Sequence, residues 1–346
     1  MATAIYTDPR CLEHYAPGHP ESPNRMKSAL AALQRDADLY DWPTIEPAEL
    51  ADIARVHDER QVHRVEELVA SGGGWVDPDT FVTPSSLVAA QCAVGAGLQA
   101  MRDVLDRRAD NGFIIVRPPG HHATVDRSMG FCLFNTGAIA ANWAIAEGHA
   151  SRVAILDIDV HHGNGTQDIF FDRPDVLYYS THQYPFYPGT GRVEDRGAAE
   201  GVGATINVPL MGGCGDTTFL AATESVLEPA VRRFRPDVIL VSVGFDAHWA
   251  DPLAQMRLSL QGYGEILSRV RALADEVCGG RLLLLLEGGY DLQVIEGGAS
   301  MAGRILAGQQ VGPDPLGPGP RATEPTGATA VLQAVCATHD LPSAEL

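Results

Sequence analysis

Residues 157–162, DIDVHH, bring two carboxylates and two imidazoles together directly after an apolar run. In an extended chain, residues two apart point to the same side, so we expect Asp157, Asp159 and His161 to face one way. Asp246, which follows another apolar run, offers a further oxygen. Burying several carboxylates without a cation is costly, and three protein ligands with one open position are typical of a catalytic metal. Nitrogen and oxygen donors without a thiolate favour Zn²⁺ and leave Fe²⁺, Co²⁺ and Mn²⁺ open.

Two adjacent histidines, His121 and His122, follow the sequence RPPG. Beside a metal-activated water, such imidazoles can act as a general base and as a general acid or electrostatic partner. Each ring needs an orienting acceptor, and Asp157 and Asn164 are the candidates. One acceptor is ionised and the other is neutral, so the two rings can hold protons differently.

Three aromatic residues complete the candidate chemistry. Tyr290 follows two glycines in LEGGYD, and a phenol near an activated carbonyl can donate a hydrogen bond to a developing oxyanion. The segments MGFCLF and YPFYPGTG supply aromatic side chains, of which Phe131 and Tyr187 are the best candidates for a slot. Such a slot suits a slender stem like the methylenes of an acylated lysine, although aromatic residues more often pack in the core.

Short apolar runs separated by helical patterns must position these groups. The predicted strands cover residues 2–7, 112–119, 152–159, 176–182, 237–246 and 281–290. This alternation indicates an α/β domain with a central, mostly parallel sheet flanked by helices on both faces. Ligands bind at the carboxyl ends of strands in such sheets, and five of these runs lead into reactive side chains. We therefore expect the clusters to surround one pocket.

The composition limits the classes of function. The 346 residues carry a net charge of −19, which speaks against a nucleic-acid partner. No signal-peptide pattern and no membrane-length apolar run is evident, and six scattered cysteines without a CxxC pair fit reduced thiols in a cytoplasm. We expect one catalytic domain over residues 1–346, in which the Pro/Gly-rich segment 312–327 precedes a short C-terminal helix.

Six separated motifs carry a family resemblance. They are RPPGHHA, GFCLFN, DIDVHHGNGTQ, FYPGTG, GFDAHWADPLAQM and LEGGYD, in this order along the chain. They resemble the zinc-dependent histone deacetylase superfamily, which has an arginase-like fold, and most closely its class II and bacterial amidohydrolase members. HPESPNR at residues 19–25 is also similar to the entrance region of that family.

The resemblance implies one Zn²⁺ per chain, held by Asp159, His161 and Asp246. It implies catalytic roles for His121, His122, Asp157, Asn164 and Tyr290. It also implies that an acyl-lysine tunnel is lined by Gly130, Phe131, Tyr187 and Leu253. Leu253 stands where a polyamine-selective relative carries a glutamate gatekeeper, which weakens a polyamine interpretation without excluding it. Structural K⁺ would lie against Asp157, Asp159, His161, Ser180 and Thr181, and a second K⁺ near Phe170, Arg173 and Val176.

The leading hypothesis is a bacterial, cytoplasmic zinc amidohydrolase that deacetylates acetyl-lysine-type amides. Acetylpolyamines or other small amides remain alternative substrates, and homo-oligomerisation remains open. A binuclear manganese ureohydrolase would need more carboxylates than GFDAH offers. A non-catalytic acyl-lysine binding module would not need Tyr290, both histidines and an open metal position together.

Overall fold

A parallel sheet forms the centre of the protein, whose computed structural model describes residues 2–320 and 323–342. The strands are β1 (Thr3–Tyr6), β2 (Tyr40–Asp41), β3 (Gly74–Trp75), β4 (Phe81–Val82), β5 (Asn111–Ile114), β6 (Val153–Asp157), β7 (Val176–Gln183), β8 (Thr205–Leu210), β9 (Val238–Val243) and β10 (Leu282–Leu286). Within the described residues, eight of them pair in the order β2-β1-β5-β10-β9-β6-β7-β8, all parallel. β3 and β4 form a separate antiparallel hairpin.

Helices cover this sheet and leave its central strands buried. They are α1 (Pro23–Gln34), α2 (Leu50–Ile53), α3 (Glu59–Ala70), α4 (Ser86–Leu105), α5 (Thr136–Ala146), α6 (Asn164–Phe170), α7 (Asp216–Ala222), α8 (Glu228–Phe234), α9 (Leu260–Cys278), α10 (Leu292–Leu306) and α11 (Gly327–Thr338). α4 packs with α5 in one layer, and α1, α9 and α10 pack together in another. The five leucines of β10 are all buried, as expected for a strand with both faces covered. The predicted fold class is confirmed.

Five of the six predicted strands end earlier than the apolar runs from which they were predicted. β5 ends at Ile114 instead of residue 119, and β10 ends at Leu286 instead of residue 290. Beyond β10, the N–H of Gly288 donates to Oδ2 of Asp159 and no longer to a neighbouring strand. β8 was not predicted, since its sequence TINVPL includes Asn207 and Pro209 and reads as a weak strand.

The C-terminal part consists of an irregular segment and a final helix. Residues 312–320 and 323–326 are irregular, residues 321 and 322 lie outside the described residues, and α11 packs against β8. The Glu324 carboxylate accepts hydrogen bonds from the backbone N–H groups of Thr217 and Thr218, which ties the segment to the start of α7. All six cysteines lie among the described residues as buried thiols, none of them in a disulfide. Throughout residues 2–320 and 323–342, no helix is long and apolar enough to span a membrane.

The two ends of the strands lead into different kinds of segment. At the carboxyl edge, Asp157 of β6 lies between Ser180 of β7 and Ser242 of β9. At the amino edge, short turns return the chain from helix to strand. The turn between α5 and β6 is exposed over residues 146–149, and Gly148 there adopts a φ of +74° with no atom within 4 Å of the place a Cβ would take. The residues with candidate catalytic and metal-binding side chains therefore lie at the carboxyl ends of the strands.

Candidate active site

Three predicted metal ligands meet at the carboxyl ends of β6 and β9. Asp159, His161 and Asp246 each offer one ligand atom, and these atoms lie within 4.8 Å of one another. Nδ1 of His161 lies 3.2 Å from Oδ1 of Asp159 and 3.3 Å from Oδ2 of Asp246. Both carboxylates are fully buried, and Oδ2 of Asp246 has no hydrogen-bond partner among the described residues. A buried carboxylate oxygen without a hydrogen bond is costly, so these donors fit a divalent cation.

Asp157 is not a member of this ligand cluster, although its Oδ1 accepts the N–H of Asp159 at 3.2 Å, and this corrects the expectation that it shares a metal site with Asp159 and His161. β6 ends at Asp157, so the two-residue alternation does not continue to Asp159 and His161. Oδ2 of Asp157 lies 3.0 Å from Nδ1 of His121 and accepts a hydrogen bond from the Tyr178 hydroxyl at 3.2 Å. The carboxylate of Asp157 therefore faces the tandem histidines.

The rings of His121 and His122 lie side by side, with centroids 4.0 Å apart. Nδ1 of His122 lies 2.8 Å from Oδ1 of Asn164, a neutral acceptor. Burial lowers the pKa of His121, but the carboxylates of Asp157 and Asp159 outweigh it and raise that pKa to about 10. Burial and the neighbouring His121 and His161 hold the pKa of His122 well below its usual value. The two rings therefore differ in proton affinity, and His121 holds a proton more strongly than His122.

Tyr290 approaches the metal ligands on the segment that follows β10. The N–H of Gly288 donates to Oδ2 of Asp159 at 2.8 Å, and the N–H of Tyr290 donates to Oδ2 of Asp251 at 2.6 Å. Burial raises the pKa of the Tyr290 phenol well above its usual value, although Arg25 opposes this. The phenol therefore keeps its proton and can donate a hydrogen bond.

Comparisons with known proteins identify the family of the chain. A family model described as "Histone deacetylase domain" matches residues 19–306. The chain belongs to this family. It is 37% identical over 327 residues to "Histone deacetylase 14, chloroplastic" of Arabidopsis thaliana, covering 89% of this chain and 77% of that protein. It is 39% identical over 312 residues to "Histone deacetylase-like amidohydrolase" of Pseudomonas aeruginosa, covering 83% of this chain and 81% of that protein.

An archaeal relative and a solved structure extend these similarities. A "Probable deacetylase" of Archaeoglobus fulgidus is 39% identical over 299 residues, covering 85% of this chain and 82% of that protein. The crystal structure of the HDA15 HD domain matches with a TM-score of 0.89 at 34% identity and covers 98% of this chain and 94% of that one. The histone deacetylase fold is therefore shown over nearly the whole chain.

Aromatic rings surround the histidines and the phenol. The ring of Phe131 lies nearly perpendicular to that of Tyr290 at 5.8 Å, and the ring of Tyr187 lies nearly perpendicular to that of His122 at 5.2 Å. Phe186, which belongs to the motif FYPGTG but was not named as a slot residue, stacks on His161 at 5.5 Å with an interplanar angle of 19°. These contacts place Phe131, Tyr187 and Phe186 around the histidines and Tyr290.

The loop that carries Phe131 has an unusual backbone. Gly130 and Phe131 both adopt positive φ, of 57° and 68°, and this conformation is uncommon for Phe. A Cβ at Gly130 would lie 2.4 Å from Cδ2 of His122, so glycine is required there. The N–H of Phe131 donates to Oγ1 of Thr80 beside β4, which holds the strained residue in place. Leu253 is half-buried, and its N–H donates to Oδ1 of Asp251.

Buried charged residues behind the site were missed by sequence reasoning. Arg25 lies with its guanidinium carbon 4.9 Å from the ring centroid of Tyr290, and its Nε donates to the carbonyl of Gly289 at 2.6 Å. Glu21 is fully buried and pairs with both Arg25 and Arg117. HPESPNR contains Glu21 and Arg25, but a single sequence does not show that these charges are buried together.

The residues implied in K⁺ binding lie around β6 and β7. Ser180 of β7 pairs with Asp157 of β6, and its hydroxyl lies 2.9 Å from Nδ1 of His182. Thr181 follows within β7. Phe170 ends α6, Val176 begins β7, and the N–H of Arg173 between them donates to the Phe170 carbonyl at 3.0 Å. These positions remain predictions as cation ligands.

Proposed function

We propose that the protein is a zinc-dependent amidohydrolase that removes acetyl groups from acetyl-lysine-type amides. One observation supports this most strongly: Oδ2 of Asp246, which has no hydrogen-bond partner among the described residues, lies in a buried ligand cluster whose member Asp159 has its Oδ1 3.9 Å from Nε2 of His121. A cation site alone would fit a structural role. Its position beside His121, His122 and Tyr290 supports hydrolysis.

Asp159, His161 and Asp246 would hold the cation, in agreement with the donor preference of Zn²⁺. When bound, the cation supplies Lewis-acid polarisation of the amide carbonyl and of a water molecule. Two carboxylates with one imidazole fit one metal, because Asp246 is followed by Ala247 and His248 instead of a second carboxylate pair. Nδ1 of His248 accepts the Ala250 N–H at 3.1 Å, which favours a local structural role for that ring.

The tandem histidines would move the protons. Asp157 contacts Nδ1 of His121, and Asn164 contacts Nδ1 of His122. Nε2 of each ring is therefore the nitrogen that remains for the reaction. His122, whose low pKa keeps it neutral, would take a proton from the attacking water at Nε2 and then give a proton to the leaving amine. His121, with its raised pKa, would remain cationic and stabilise the negative charge that develops nearby.

Tyr290 and the aromatic residues would orient the substrate. The phenol, which its raised pKa keeps protonated, would donate a hydrogen bond to the oxyanion formed from the carbonyl oxygen. Phe131 and Tyr187 would contact the methylenes of the acylated side chain and exclude water. The carbonyl of Gly130 and the side chain of Leu253 would lie along the same path. Cleavage would give acetate and the free amine.

Acetate release tests this function and distinguishes the substrate classes. The purified protein would be assayed with an acetyl-lysine peptide and with acetylputrescine, each before chelation, after chelation and after addition of Zn²⁺. Turnover of the peptide that is lost with chelator and restored by Zn²⁺ is expected. Turnover of acetylputrescine alone would replace the peptide with a polyamine substrate. Peptide turnover that persists in metal-free protein, verified by mass spectrometry, would refute the zinc mechanism.

Two further assignments belong to this proposal. K⁺ bound at Asp157, Asp159, His161, Ser180 and Thr181, and near Phe170, Arg173 and Val176, would stabilise the fold. The Tm should then be higher in KCl than in tetramethylammonium chloride at equal ionic strength, and equal values would refute it.

The buried, reduced cysteines fit a reducing compartment such as a cytoplasm, and one catalytic domain would carry the activity.

A further inference from the structure

A buried glutamate, Glu287, lies immediately behind the tandem histidines. Glu287 follows β10 and is 1% exposed. Its Oε2 accepts the N–H of Gly120 at 2.7 Å and the N–H of His121 at 3.2 Å. Its Oε1 accepts the Ser242 hydroxyl at 3.4 Å. Among the described residues, the donors to this carboxylate are uncharged groups, so a costly buried acid is retained where it contacts the main chain of the site.

The contacts of Glu287 complete the fixation of His121. The carbonyl oxygen of His121 accepts the N–H groups of Gly165 and Thr166 at 3.0 and 3.1 Å, at the start of α6. Its Nδ1 contacts Asp157. With Glu287 on the peptide N–H, the N–H, the C=O and Nδ1 of His121 are all held, and Nε2 is the remaining polar atom. A ring held in this way keeps one orientation.

The same short segment also reaches the metal ligands. Gly288, the next residue, donates its N–H to Oδ2 of Asp159. The backbone after β10 therefore contacts the histidine loop through the side chain of Glu287 and the ligand cluster through the amide of Gly288. A shift of Glu287 would change the distance between these two parts of the site.

We infer that Glu287 is a positioning residue, whose carboxylate fixes the main chain at Gly120 and His121 and thereby sets the tandem histidines against the metal ligands. This inference rests on the proposed hydrolytic function. Misplacing a catalytic group by about 1 Å can cost roughly 100-fold in rate, so this contact has a measurable kinetic consequence.

The geometry indicates which replacement preserves the contact. In Glu287→Gln, the amide oxygen can accept both N–H groups, while the NH₂ group faces the Ser242 oxygen, which can accept a hydrogen bond. Glu287→Ala removes the acceptor and leaves two buried N–H groups unpaired. Glu287→Asp keeps the charge but withdraws the carboxylate by one methylene. Position and charge are therefore separable by these three variants.

Asp237 provides a matched control at the opposite end of the sheet. Its Oδ2 accepts the consecutive N–H groups of Ser151 and Arg152 at 2.7 and 2.9 Å, as Glu287 accepts those of Gly120 and His121. Asp237→Ala removes an equivalent pair of hydrogen bonds before β6 and β9. The hydrogen bonds of Asp237 are exposed and those of Glu287 are buried, so Asp237→Ala tests whether losing a carboxylate acceptor for two consecutive N–H groups is by itself enough to lower kcat.

The test measures kcat and KM per zinc-loaded chain, with the metal content determined by mass spectrometry. Glu287→Ala should lower kcat by roughly 100-fold and change KM less than about threefold, whereas Glu287→Gln should stay within about fivefold of wild type. Asp237→Ala should lose stability and keep kcat. If Glu287→Ala does not fold, Glu287→Asp should lower kcat at least about tenfold. Wild-type kcat in the alanine or aspartate variant, or a glutamine variant as impaired as they are, overturns the inference.

A crystal structure separates this inference from the proposed function. If wild-type protein releases acetate from none of the amides, the proposed function fails while the positioning role stays testable. In Glu287→Ala, the main chain of residues 120–122 should move by about 1 Å relative to β6, whereas Asp237→Ala should leave it in place. If the alanine variant does not fold, the same shift is expected in Glu287→Asp. An unmoved histidine loop overturns the inference whatever the activity.

Discussion

Nδ1 of His122 lies 2.8 Å from the amide oxygen of Asn164. A neutral acceptor orients the ring without adding negative charge, so the low pKa that burial imposes on His122 is retained. In Asn164→Asp, an ionised oxygen would favour the imidazolium and raise the pKa of His122. The acidic limb of the pH profile of kcat/KM should then move to higher pH, because a general base works only when neutral. An unshifted limb would show that His122 is not the base.

Tyr290→Phe should lower kcat by about 100- to 1,000-fold, as expected for loss of one oxyanion donor. The phenol is outside the ligand cluster, so zinc content should stay near that of wild type. The matched control is Tyr40→Phe, because the buried Tyr40 hydroxyl has no hydrogen-bond partner among the described residues. Steady-state kinetics and metal analysis would check both variants. A phenylalanine variant with wild-type kcat would remove Tyr290 from the mechanism.

Asp246→Asn should weaken the metal site while preserving side-chain volume. The variant loses an anionic ligand but leaves Asp159 and His161 unchanged. Because a ligand that binds the native state stabilises it, Zn²⁺ should raise the Tm of chelated wild-type protein. The increase should be small or absent in Asp246→Asn and normal in the distant control Asp237→Asn. An equal increase in all three proteins would place the zinc site elsewhere.

His57 should make the protein sensitive to acid. Its Nδ1 lies 2.8 Å from the carbonyl oxygen of Thr124, and its Nε2 accepts the Asn135 N–H at 2.8 Å, so the neutral form is required. Burial lowers the pKa of His57 to about 4, below the usual 6.5. The unfolded chain therefore binds a proton first as the pH falls. Stability is complete above pH 6.5 and decreases towards pH 4, by about 2 kcal/mol at pH 5.

Urea unfolding at pH 7.5 and pH 5 checks this effect. His57→Gln keeps one donor and one acceptor but does not titrate, so its free energy of unfolding should fall less between the two pH values. Other buried histidines contribute equally to both proteins and cancel in the comparison. A variant with the same pH dependence as wild type would contradict the assignment to His57.

The sequence predicted the residues of the site better than their grouping. Asp159, His161 and Asp246 meet because each follows a strand of the same sheet edge, and that rule is readable from apolar runs. Asp157 was misplaced because the alternation rule holds only while the strand continues, and β6 stops at that residue. The contact of Asp157 with His121 was predicted on a separate ground, because each histidine ring needs an orienting acceptor.

Other residues were beyond a single sequence because their roles depend on long-range burial. Glu287 and Arg25 are charged, and charged side chains are usually exposed. Glu287 and Gly120 are 167 residues apart in the chain, and Arg25 and Gly289 are 264 residues apart. Nothing local in either segment indicates such a partner. Only tertiary packing brings these side chains to their buried partners.

The exposed turn at Gly148 has a practical consequence for protein engineering. The turn is at the amino edge of the sheet, whereas the metal ligands, the histidines and Tyr290 follow the carboxyl ends of the strands. Exposed turns distant from a site tolerate added sequence best. A fluorescent reporter or a surface-immobilisation tag grafted after Gly148 would therefore face away from the reaction and leave the substrate path open.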